Sequence, residues 1–416
     1  MTTPQINGQR LLDSLQALGQ IGALPGGGVN RLALTDADRA GRDWVVARMR
    51  ELGMHIHIDA IGNIVGIFSS TEDLPPVMVG SHIDTVRTGG LYDGNYGVLA
   101  GLEVIATLRE AGLQTRRLLA VAVFTNEEGA RFQPDMMGSL VYVGGLPLQD
   151  ALATCDADGV SVQAELQRIG YQGTAPVCAP QMDSYVELHI EQGPVLEQMG
   201  LQIGVVEGAQ GISWTEFTVE GQSNHAGTTP MALRHDAALV AAQVAVFVRE
   251  LSARMGGRQL ATVGAVRLSP NLVNVIAQKA VFTVDLRNTD GVALAQAERD
   301  LHAYAQQAAQ AEGARITHRT LARFEPVAFD PLLVNLVEQQ TQALGASYQR
   351  MPSGAGHDAQ MLARVCPSAM IFVPSAGGLS HNVREHTEPV DLQRGAQVLL
   401  QVVLALADRP TALIPL

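Results

Sequence analysis

Short apolar runs constrain the fold of this chain more than any other feature. After its arginine, the run from Arg117 to Phe124 contains only Leu, Ala, Val and Phe, and further strand-like runs span Pro76 to Val79, Tyr185 to Ile190 and Ala369 to Val373. A continuous apolar stretch is typical of a strand that is buried on both faces of a parallel sheet. Helix-like patterns separate these runs along the chain. The sequence therefore predicts an α/β fold with a mostly parallel sheet and helices on both faces.

This alternation is interrupted between residues 209 and 325. There the predicted order is strand, helix, strand, strand, helix, strand, which is the ferredoxin-like βαββαβ unit. The six segments span residues 212–219, 236–255, 260–268, 280–286, 293–312 and 315–321. The α/β pattern resumes at residue 331. We therefore expect a discontinuous domain of residues 1–208 and 326–416, with an inserted domain of residues 209–325.

Charge and cysteine content limit the partners and the compartment. Lys and Arg total 28 against 41 Asp and Glu, and the formal charge of −13 disfavours nucleic acid and anionic membranes. No apolar run approaches the ~20 residues that cross a bilayer, and the first residues lack the basic and apolar regions of a secretion signal. The cysteines Cys155, Cys178 and Cys366 are widely spaced, which favours a reducing compartment. We expect a cytoplasmic protein.

Five potential metal ligands stand at or just beyond the ends of the predicted strands. They are His82, Asp93, Glu128, His189 and His381. Because the carboxyl ends of parallel strands share one edge of the sheet, these side chains are predicted to converge. Imidazoles and carboxylates without a thiolate suit a pair of divalent ions such as Zn²⁺, Mn²⁺ or Co²⁺, with Asp93 shared between them. Two ions ~3.5–4 Å apart would hold a bridging water, lower its pKa toward ~7 and polarise a carbonyl group.

Two more carboxylates accompany these ligands. Asp84 follows His82 by two residues, so an extended segment puts both on one face, where the carboxylate is predicted to orient the imidazole. Glu127 adjoins Glu128 but points in another direction, and it is predicted to move a proton from water to a leaving nitrogen. The alternatives are a solvated acidic turn for the glutamates and a surface loop for His82.

Long ordered motifs carry a resemblance over essentially the whole chain. The sequence resembles the N-carbamoyl-L-amino-acid hydrolase branch (hydantoinase/carbamoylase family) of the peptidase M20 clan of metal-dependent amidohydrolases. The resemblance rests on the segments G-S-H-I-D-T-V, Y-D-G, N-E-E-G-A-R-F, E-L-H-I-E-Q-G-P-V-L-E, S-N-H-A-G-T-T-P-M, N-x-V-N-V, D-L-R-N, S-G-A-G-H-D-A-Q and S-H-N.

The resemblance implies a fold of the di-metal exopeptidase type and a role for each matching residue. His82, Asp93 and His189 resemble the ligands of one ion, and Asp93, Glu128 and His381 resemble those of the other. Two divalent ions per subunit are implied, Zn²⁺ or Mn²⁺, with Co²⁺ and Ni²⁺ as alternatives. Glu127 matches the general base of the family, and Asp84 matches its histidine-orienting carboxylate.

The resemblance also gives the inserted domain the roles of a lid and of a homodimer interface. His225 resembles the residue that stabilises the tetrahedral intermediate in the site of the partner subunit. Asn274 and Arg287 resemble the pair that binds the substrate carboxylate. The residues expected near this pair are Gln192, Gly354, Ala355 and Gly356. Taken by themselves, Arg287 could pair with an acid of its own domain, and His225 could be a turn residue.

The implied substrate is a small ureido compound, an N-carbamoyl-L-amino acid. Allantoate amidohydrolases and β-ureidopropionases share the ureido-type motifs, whereas aminoacylases and dipeptidases share only the metal ligands. The stretch from Gly208 to Trp214 looks more like carbamoylases than like allantoate enzymes. A catalytically silent binding protein is the rival from another class, and the complete ligand set with Glu127 argues against it.

Overall fold

The computed structural model describes residues 4–177 and 182–409, and the chain divides into two compact units. The core unit comprises Met1–Gly208 and Ala328–Leu416, and the inserted unit comprises Ala209–Val327. The sequence places the second boundary two residues earlier, between residues 325 and 326.

The strands follow the order expected for an α/β domain with an insertion. They are β1 (His55–Ile58), β2 (Ile64–Phe68), β3 (Val77–His82), β4 (Leu119–Phe124), β5 (Ser184–Ile190), β6 (Ile203–Ala209), β7 (Gly211–Glu220), β8 (Leu260–Ser269), β9 (Lys279–Asn288), β10 (Arg315–Phe324), β11 (Val327–Ala328), β12 (Tyr348–Ser353) and β13 (Ser368–Val373).

The α-helices alternate with these strands, and caps fix where several of them begin. They are α1 (Gly8–Gly19), α2 (Asp36–Glu51), α3 (Asn95–Glu110), α4 (Met137–Tyr142), α5 (Leu148–Ala153), α6 (Val162–Ile169), α7 (Val195–Met199), α8 (Ala237–Met255), α9 (Gly291–Ala311), α10 (Pro331–Ala343), α11 (Asp358–Leu362) and α12 (Pro389–Ala407). The side chain of Thr35 accepts a hydrogen bond from the N–H of Asp38 at the start of α2, and Asp330 caps α10 in the same way.

The sheet of the core unit has four parallel strands at its centre. Its order is β1-β2-β4-β3-β5-β13-β6-β11, and β12 pairs with β6. Strands β4, β3, β5 and β13 run parallel, whereas β2 and β6 flank them antiparallel. All residues of the four central strands are buried, as their apolar sequences predict. The mostly parallel sheet is therefore confirmed.

Helices cover both faces of this sheet, and strand β5 shows why. Leu188 lies against Gly97 of α3 and Gly395 of α12, whereas the carboxylate of Glu187 accepts a hydrogen bond from the N–H of Ala359 in α11. Neighbouring residues of a strand point to opposite faces. The carboxyl ends of β3 and β4 lie side by side, with His82 opposite Phe124, and those of β5 and β13 do likewise.

The inserted unit is a βαββαβ unit with an antiparallel sheet in the order β10-β7-β9-β8. The element order is the one that the sequence predicts. Helices α8 and α9 pack against the sheet, and Phe217 stacks on Phe282 in its core, with ring centroids 5.3 Å apart. The unit therefore has a hydrophobic core of its own.

Helix α12 is long and apolar enough to cross a membrane by length and composition, although no such run was expected from the sequence. However, 61% of the apolar stretch of this helix is buried inside the protein, and the helix packs on α3, β5 and β13. The core of the fold therefore accounts for its apolar residues. Of the cysteines, Cys155 is exposed and Cys366 is buried, both as free thiols, and Cys178 lies outside the described residues.

Candidate metal centre

The first ligand group lies where β3, β5 and the turn before α3 meet. The Nε2 atoms of His82 and His189 lie 3.7 and 3.2 Å from Oδ1 of Asp93. All three residues are buried. Each offers one ligand atom, and these atoms lie within 4.8 Å of one another, close enough for a single metal ion to bind all three. Gly94 makes room for them, because a Cβ at this position would lie 2.4 Å from Nε2 of His82.

The second ligand group uses the other oxygen of the same aspartate. Nε2 of His381 lies 3.3 Å from Oδ2 of Asp93 and 3.2 Å from Oε2 of Glu128. His381 is 53% exposed and has a φ of +54°, so it reaches the buried carboxylates from a tight loop. The structure thus brings the five predicted ligands together, with one oxygen of Asp93 directed at each group.

The chemistry of these donors fits two divalent cations. Three imidazoles and two carboxylates with no thiolate suit borderline or hard ions. Burial and the neighbouring Asp93 raise the pKa of Glu128, whereas hydrogen bonds to Asp93 and Glu128 raise the pKa of His381 to about 11. Burial is the main cause of the first shift and the two carboxylates are the main cause of the second, so the site holds buried negative charge that a cation would stabilise.

Carbonyl oxygens orient the two histidines of the first group. Nδ1 of His82 lies 2.9 Å from the main-chain oxygen of Asp84, and Nδ1 of His189 lies 2.9 Å from that of Ile190. A carbonyl partner puts the ring proton on Nδ1 and leaves Nε2 for the metal. The sequence predicts that the Asp84 carboxylate does this, and the structure corrects the atom, because the carboxylate is 3.8 Å from His82.

The Asp84 carboxylate contacts the two glutamates instead. Its oxygens accept hydrogen bonds from the N–H groups of Glu127 and Glu128, at 3.2 and 3.3 Å. Burial, with Asp38 and Glu128 nearby, raises the pKa of Asp84 to about 8. Its side chain therefore fixes the glutamate segment, and its carbonyl oxygen fixes the histidine.

Glu127 lies beside the first group without belonging to either group. Its Oε2 is 3.3 Å from Nε2 of His82, and its side chain is 9% exposed. Burial, followed by the charges of Asp358 and Glu128, raises the pKa of Glu127 well above its ordinary value. A carboxylate in this position can take up and hold a proton.

The comparison with protein families decides what kind of protein this is. The model of "Peptidase family M20/M25/M40" matches residues 78–405. The chain belongs to the peptidase M20 family. The family assignment confirms the predicted fold class and the prediction of a hydrolase.

Curated and solved relatives of this M20 chain match it along nearly its full length. An N-carbamoyl-L-amino-acid amidohydrolase of Rhizobium meliloti is 41% identical over 97% of each chain. An allantoate amidohydrolase of Escherichia coli is 36% identical over 96% of this chain and 98% of that one. The crystal structure of a hydantoinase/carbamoylase family amidase from Burkholderia multivorans, 43% identical, covers 98% of this chain and 99% of that one with a TM-score of 0.94.

The structure places Gln192, expected near the substrate, against Asp93, the candidate ligand shared by both groups. Its Nε2 donates to Oδ2 of Asp93 at 2.9 Å and to Oγ of Ser380 at 3.1 Å. The run Gly354, Ala355 and Gly356 follows β12, where the N–H of Ala355 donates to Oγ of Ser353 at 3.1 Å.

Two of the three predicted residues of the inserted unit, His225 and Arg287, adopt the arrangements of their alternative interpretations, a turn residue and an ion pair within the unit. Nδ1 of His225 accepts hydrogen bonds from the N–H groups of Gly227 and Thr228, at 3.0 and 3.2 Å, so His225 sits in a turn. Arg287 pairs with Asp285 two residues earlier on β9, at 2.9 Å.

The turn that carries His225 is also tied to the segment that carries Asn274. The N–H of Ala226 donates to the carbonyl oxygen of Asn274 at 3.0 Å, and His225 forms a β-bridge with Val275. Both His225 and Asn274 are exposed. The inserted unit therefore holds these two predicted site residues next to each other.

Sequence reasoning missed buried residues that contact the candidate metal ligands. The ring of His357 meets that of His189 edge-on, with centroids 4.6 Å apart, and the pair joins Glu187 in a further group that could hold an ion. Glu385 contacts the turn of Asp93. The only signal in the sequence was proximity, since His357 lies in the S-G-A-G-H-D-A-Q segment and Glu385 follows His381 by four residues.

Proposed function

We propose that the protein is a metal-dependent amidohydrolase that cleaves the N-carbamoyl group of N-carbamoyl-L-amino acids. The products are the amino acid, CO₂ and ammonia. The observation that carries the proposal is the position of Asp93 between two ligand groups, with the buried Glu127 beside them. The names of the relatives from Rhizobium meliloti and Geobacillus stearothermophilus, 41% and 40% identical, support the substrate class.

The cofactor is a pair of divalent ions, Zn²⁺ or Mn²⁺, with Co²⁺ and Ni²⁺ as alternatives. His82, Asp93 and His189 would hold one ion, and Asp93, Glu128 and His381 the other. When bound, the ions would polarise the substrate carbonyl and activate water for attack.

Glu127 moves the proton in this proposal. It accepts a proton from the attacking water as the new C–O bond forms, and it delivers that proton to the nitrogen that leaves when the C–N bond breaks. The carbamate that remains then loses CO₂. Asp84 keeps Glu127 in place through the hydrogen bond that its carboxylate accepts from the Glu127 N–H.

His225 serves as a hydrogen-bond donor to the developing negative charge. Because Nδ1 accepts bonds from two main-chain N–H groups, the proton of the neutral imidazole resides on Nε2. A fixed Nε2–H donor is what an oxyanion requires. We assign this role to His225 of one subunit acting in the site of its partner.

Arg287 and Asn274 bind the substrate carboxylate. A protein with a formal charge of −13 repels anions overall, so an anionic substrate needs a local cation. A planar guanidinium suits a carboxylate, although Asp285 holds that of Arg287 in this structure. Substrate binding therefore requires Arg287 to exchange Asp285 for the substrate or to contact both.

The proposed assembly is a cytoplasmic homodimer that forms through the inserted unit, which also acts as a lid. Strand β8 lies at one edge of its sheet and exposes Leu260 and Val266, at 51% and 52%. Helix α8 exposes Leu239 and Val246. An apolar sheet edge of this kind is suited to pairing with a second copy.

Allantoate is the alternative substrate, because allantoate amidohydrolases of Bacillus subtilis and Escherichia coli are 35% and 36% identical to this chain. N-carbamoyl-β-alanine is a further alternative, and N-acyl amino acids and dipeptides come after it. A protein that binds ligands without turnover is the rival from outside the enzymes.

A substrate panel tests the proposal directly. The purified chain, loaded with Mn²⁺, Zn²⁺ or Co²⁺, is assayed for ammonia release from N-carbamoyl-L-amino acids, N-carbamoyl-β-alanine and allantoate, and for amine release from N-acetyl amino acids. We expect turnover to be highest on an N-carbamoyl-L-amino acid and to disappear with a chelator. Faster turnover of allantoate would support the alternative, and no turnover by a chain that holds two ions would support a binding protein.

A further inference from the structure

One buried carboxylate, that of Glu385, joins the two segments that carry Asp93 and His381. Its Oε1 accepts hydrogen bonds from the N–H groups of Tyr92 and Asp93, both at 3.2 Å. Its Oε2 accepts one from the hydroxyl of Ser380 at 3.0 Å. Glu385 is 4% exposed, so these bonds are shielded from water. The carboxylate therefore fixes the main chain of Asp93 to the residue that precedes His381.

The hydroxyl of Ser380 continues this connection to the side chain of Asp93. Its Oγ lies 3.3 Å from Oδ2 of Asp93 and accepts a hydrogen bond from Nε2 of Gln192. Gln192 also donates to Oδ2 of Asp93. This is the oxygen that faces His381. The network thus holds the half of the shared carboxylate that belongs to the second ligand group.

Gly90 provides the space that Glu385 occupies. A Cβ at position 90 would lie 2.1 Å from Oε1, 2.3 Å from Cδ and 2.4 Å from Cβ of Glu385. The φ of Gly90 is outside the left-handed region, so close approach is the reason for glycine here. Any side chain at position 90 would displace the carboxylate of Glu385.

We propose that Glu385 is a positioning residue that sets the geometry between Asp93 and His381, and so the affinity for the ion at Asp93, Glu128 and His381. The inference rests on the proposed function, because it requires two ion sites that share Asp93. Glu385 belongs to neither ligand group. Loss of a residue that orients metal ligands typically lowers metal affinity by about 10- to 100-fold.

The first test compares two substitutions of Glu385. The metal-free full-length chain is titrated with Mn²⁺, and bound ions are counted by equilibrium dialysis and elemental analysis. In Glu385→Ala we expect the first ion to bind as in the wild type and the second about 10- to 100-fold more weakly. Glu385→Gln should restore the second ion, because its amide oxygen can accept from both N–H groups while its NH₂ donates to Ser380.

Asp330→Asn is the matched control. Asp330 also accepts hydrogen bonds from two main-chain N–H groups, those of Leu332 and Leu333, at 2.8 and 3.1 Å. It lies by Ser368, at the opposite end of β13 from the metal centre. This variant should bind two ions with the affinity of the wild type.

A double-mutant cycle with Gly90 isolates the mechanism. Gly90→Ala should weaken the second ion about as much as Glu385→Ala does. In a Glu385→Gly background, which also removes the Cβ that would lie 2.4 Å away, the same change should cause no loss beyond that of Glu385→Gly alone. Additive losses would show that Gly90 acts independently and would contradict the inference.

The outcomes separate this inference from the function on which it rests. A wild-type chain that binds fewer than two ions contradicts the two-ion function itself. A wild-type chain that binds two ions, with Glu385→Ala equal to it, overturns the inference alone, as would equal weakening in Glu385→Gln and Glu385→Ala. If Glu385→Ala does not fold by circular dichroism, Ser380→Ala decides instead, since it removes only the hydroxyl, and wild-type affinity for the second ion in that variant would overturn the inference.

Discussion

The main-chain oxygen of Asp84 lies 2.9 Å from Nδ1 of His82, whereas the carboxylate of Asp84 is 3.8 Å away. The carboxylate accepts from the N–H groups of Glu127 and Glu128 instead. Asp84 thus orients a candidate ligand of the first ion with its backbone and the glutamate segment with its side chain. Substitution separates the two contacts, because a change of side chain leaves the carbonyl group in place.

Asp84→Ala should therefore affect the glutamates more than the histidine. Loss of two main-chain hydrogen bonds costs roughly 0.5–1.5 kcal/mol each, so the Glu127–Glu128 segment should loosen. We expect slower turnover and weaker binding of the ion at Glu128, with the ion at His82 retained. Metal titration measures the affinity for each of the two ions, and His82→Ala and His381→Ala serve as references for the two sites. An activity assay measures turnover. Selective loss of the ion at His82 would contradict this prediction.

Glu127→Gln should separate turnover from metal binding. The amide keeps the shape of the side chain but cannot accept the proton of the attacking water. Turnover should fall by on the order of 10²–10⁴, while elemental analysis still finds the wild-type number of ions. Loss of an ion together with the activity would instead make Glu127 a ligand.

Arg287→Ala and Asp285→Asn should have opposite effects on substrate binding. Removing the guanidinium should cost roughly 1.5–3 kcal/mol of binding, seen as a higher KM for a carboxylate substrate but not for its amide. Asp285→Asn removes the charge that holds Arg287 in this structure, so KM for the carboxylate substrate should fall. Equal activity of Arg287→Ala on the acid and on the amide would contradict the proposed binding of the substrate carboxylate by Arg287.

Asp59 should make the folded chain less stable as the pH rises from about 4 to 6. Burial raises its pKa from 3.8 to about 6, although its side chain accepts hydrogen bonds from Ile61 and Asn63. The folded state therefore holds the proton more tightly than the unfolded state. The stabilisation is complete below the ordinary pKa and is lost as the pH rises through 6.

Unfolding of the metal-free wild type and of Asp59→Asn at several pH values measures this effect. The asparagine cannot titrate, so it does not contribute this pH dependence. From pH 4 to pH 7, the unfolding free energy of the wild type should therefore fall relative to that of Asp59→Asn by up to about 3 kcal/mol. A difference that does not change with pH would contradict the assigned pKa.

The sequence predicts the architecture and the metal ligands because both depend on local patterns. Apolar runs mark the four central strands, and parallel strands bring the residues after their carboxyl ends, such as His82 and His189, to one edge. The inserted unit follows from its element order alone. Helices of five to eight residues, such as α7 (Val195–Met199), were not predicted, because so few residues show no clear period.

The supporting contacts could not be predicted in the same way. Glu385 lies 292 residues after Asp93 and accepts a hydrogen bond from the Asp93 N–H. No sequence pattern in either segment links the two residues. The roles of the two oxygen-bearing groups of Asp84 also depend on coordinates, because the spacing from His82 is the same for both. Spacing therefore identifies which residues meet, whereas the atoms through which they meet require the structure.

The last prediction concerns the proposed homodimer, in which His225 of one subunit completes the site of the other. His225 lies on the inserted unit, whereas the candidate ligands and Glu127 all lie on the core unit. Glu127→Ala and His225→Ala chains should each be inactive alone. In a mixed dimer, one site then contains an intact Glu127 and receives an intact His225 from its neighbour, so co-refolding should restore activity. With random pairing, about half of the dimers are mixed and each has one complete site, so up to roughly a quarter of wild-type activity is expected if the sites act independently.

If His225 instead served its own chain, every site in a mixed dimer would lack one residue or the other. The measurement is ammonia release after the two chains are unfolded together, refolded and supplied with Mn²⁺. Refolding each variant with itself is the control, and differently tagged chains show by sequential affinity capture that mixed dimers form. Mixed dimers without activity would rule out the shared site. Single variants that remain monomeric, with activity near that of the wild type for His225→Ala, would rule out both the dimer and the role of His225.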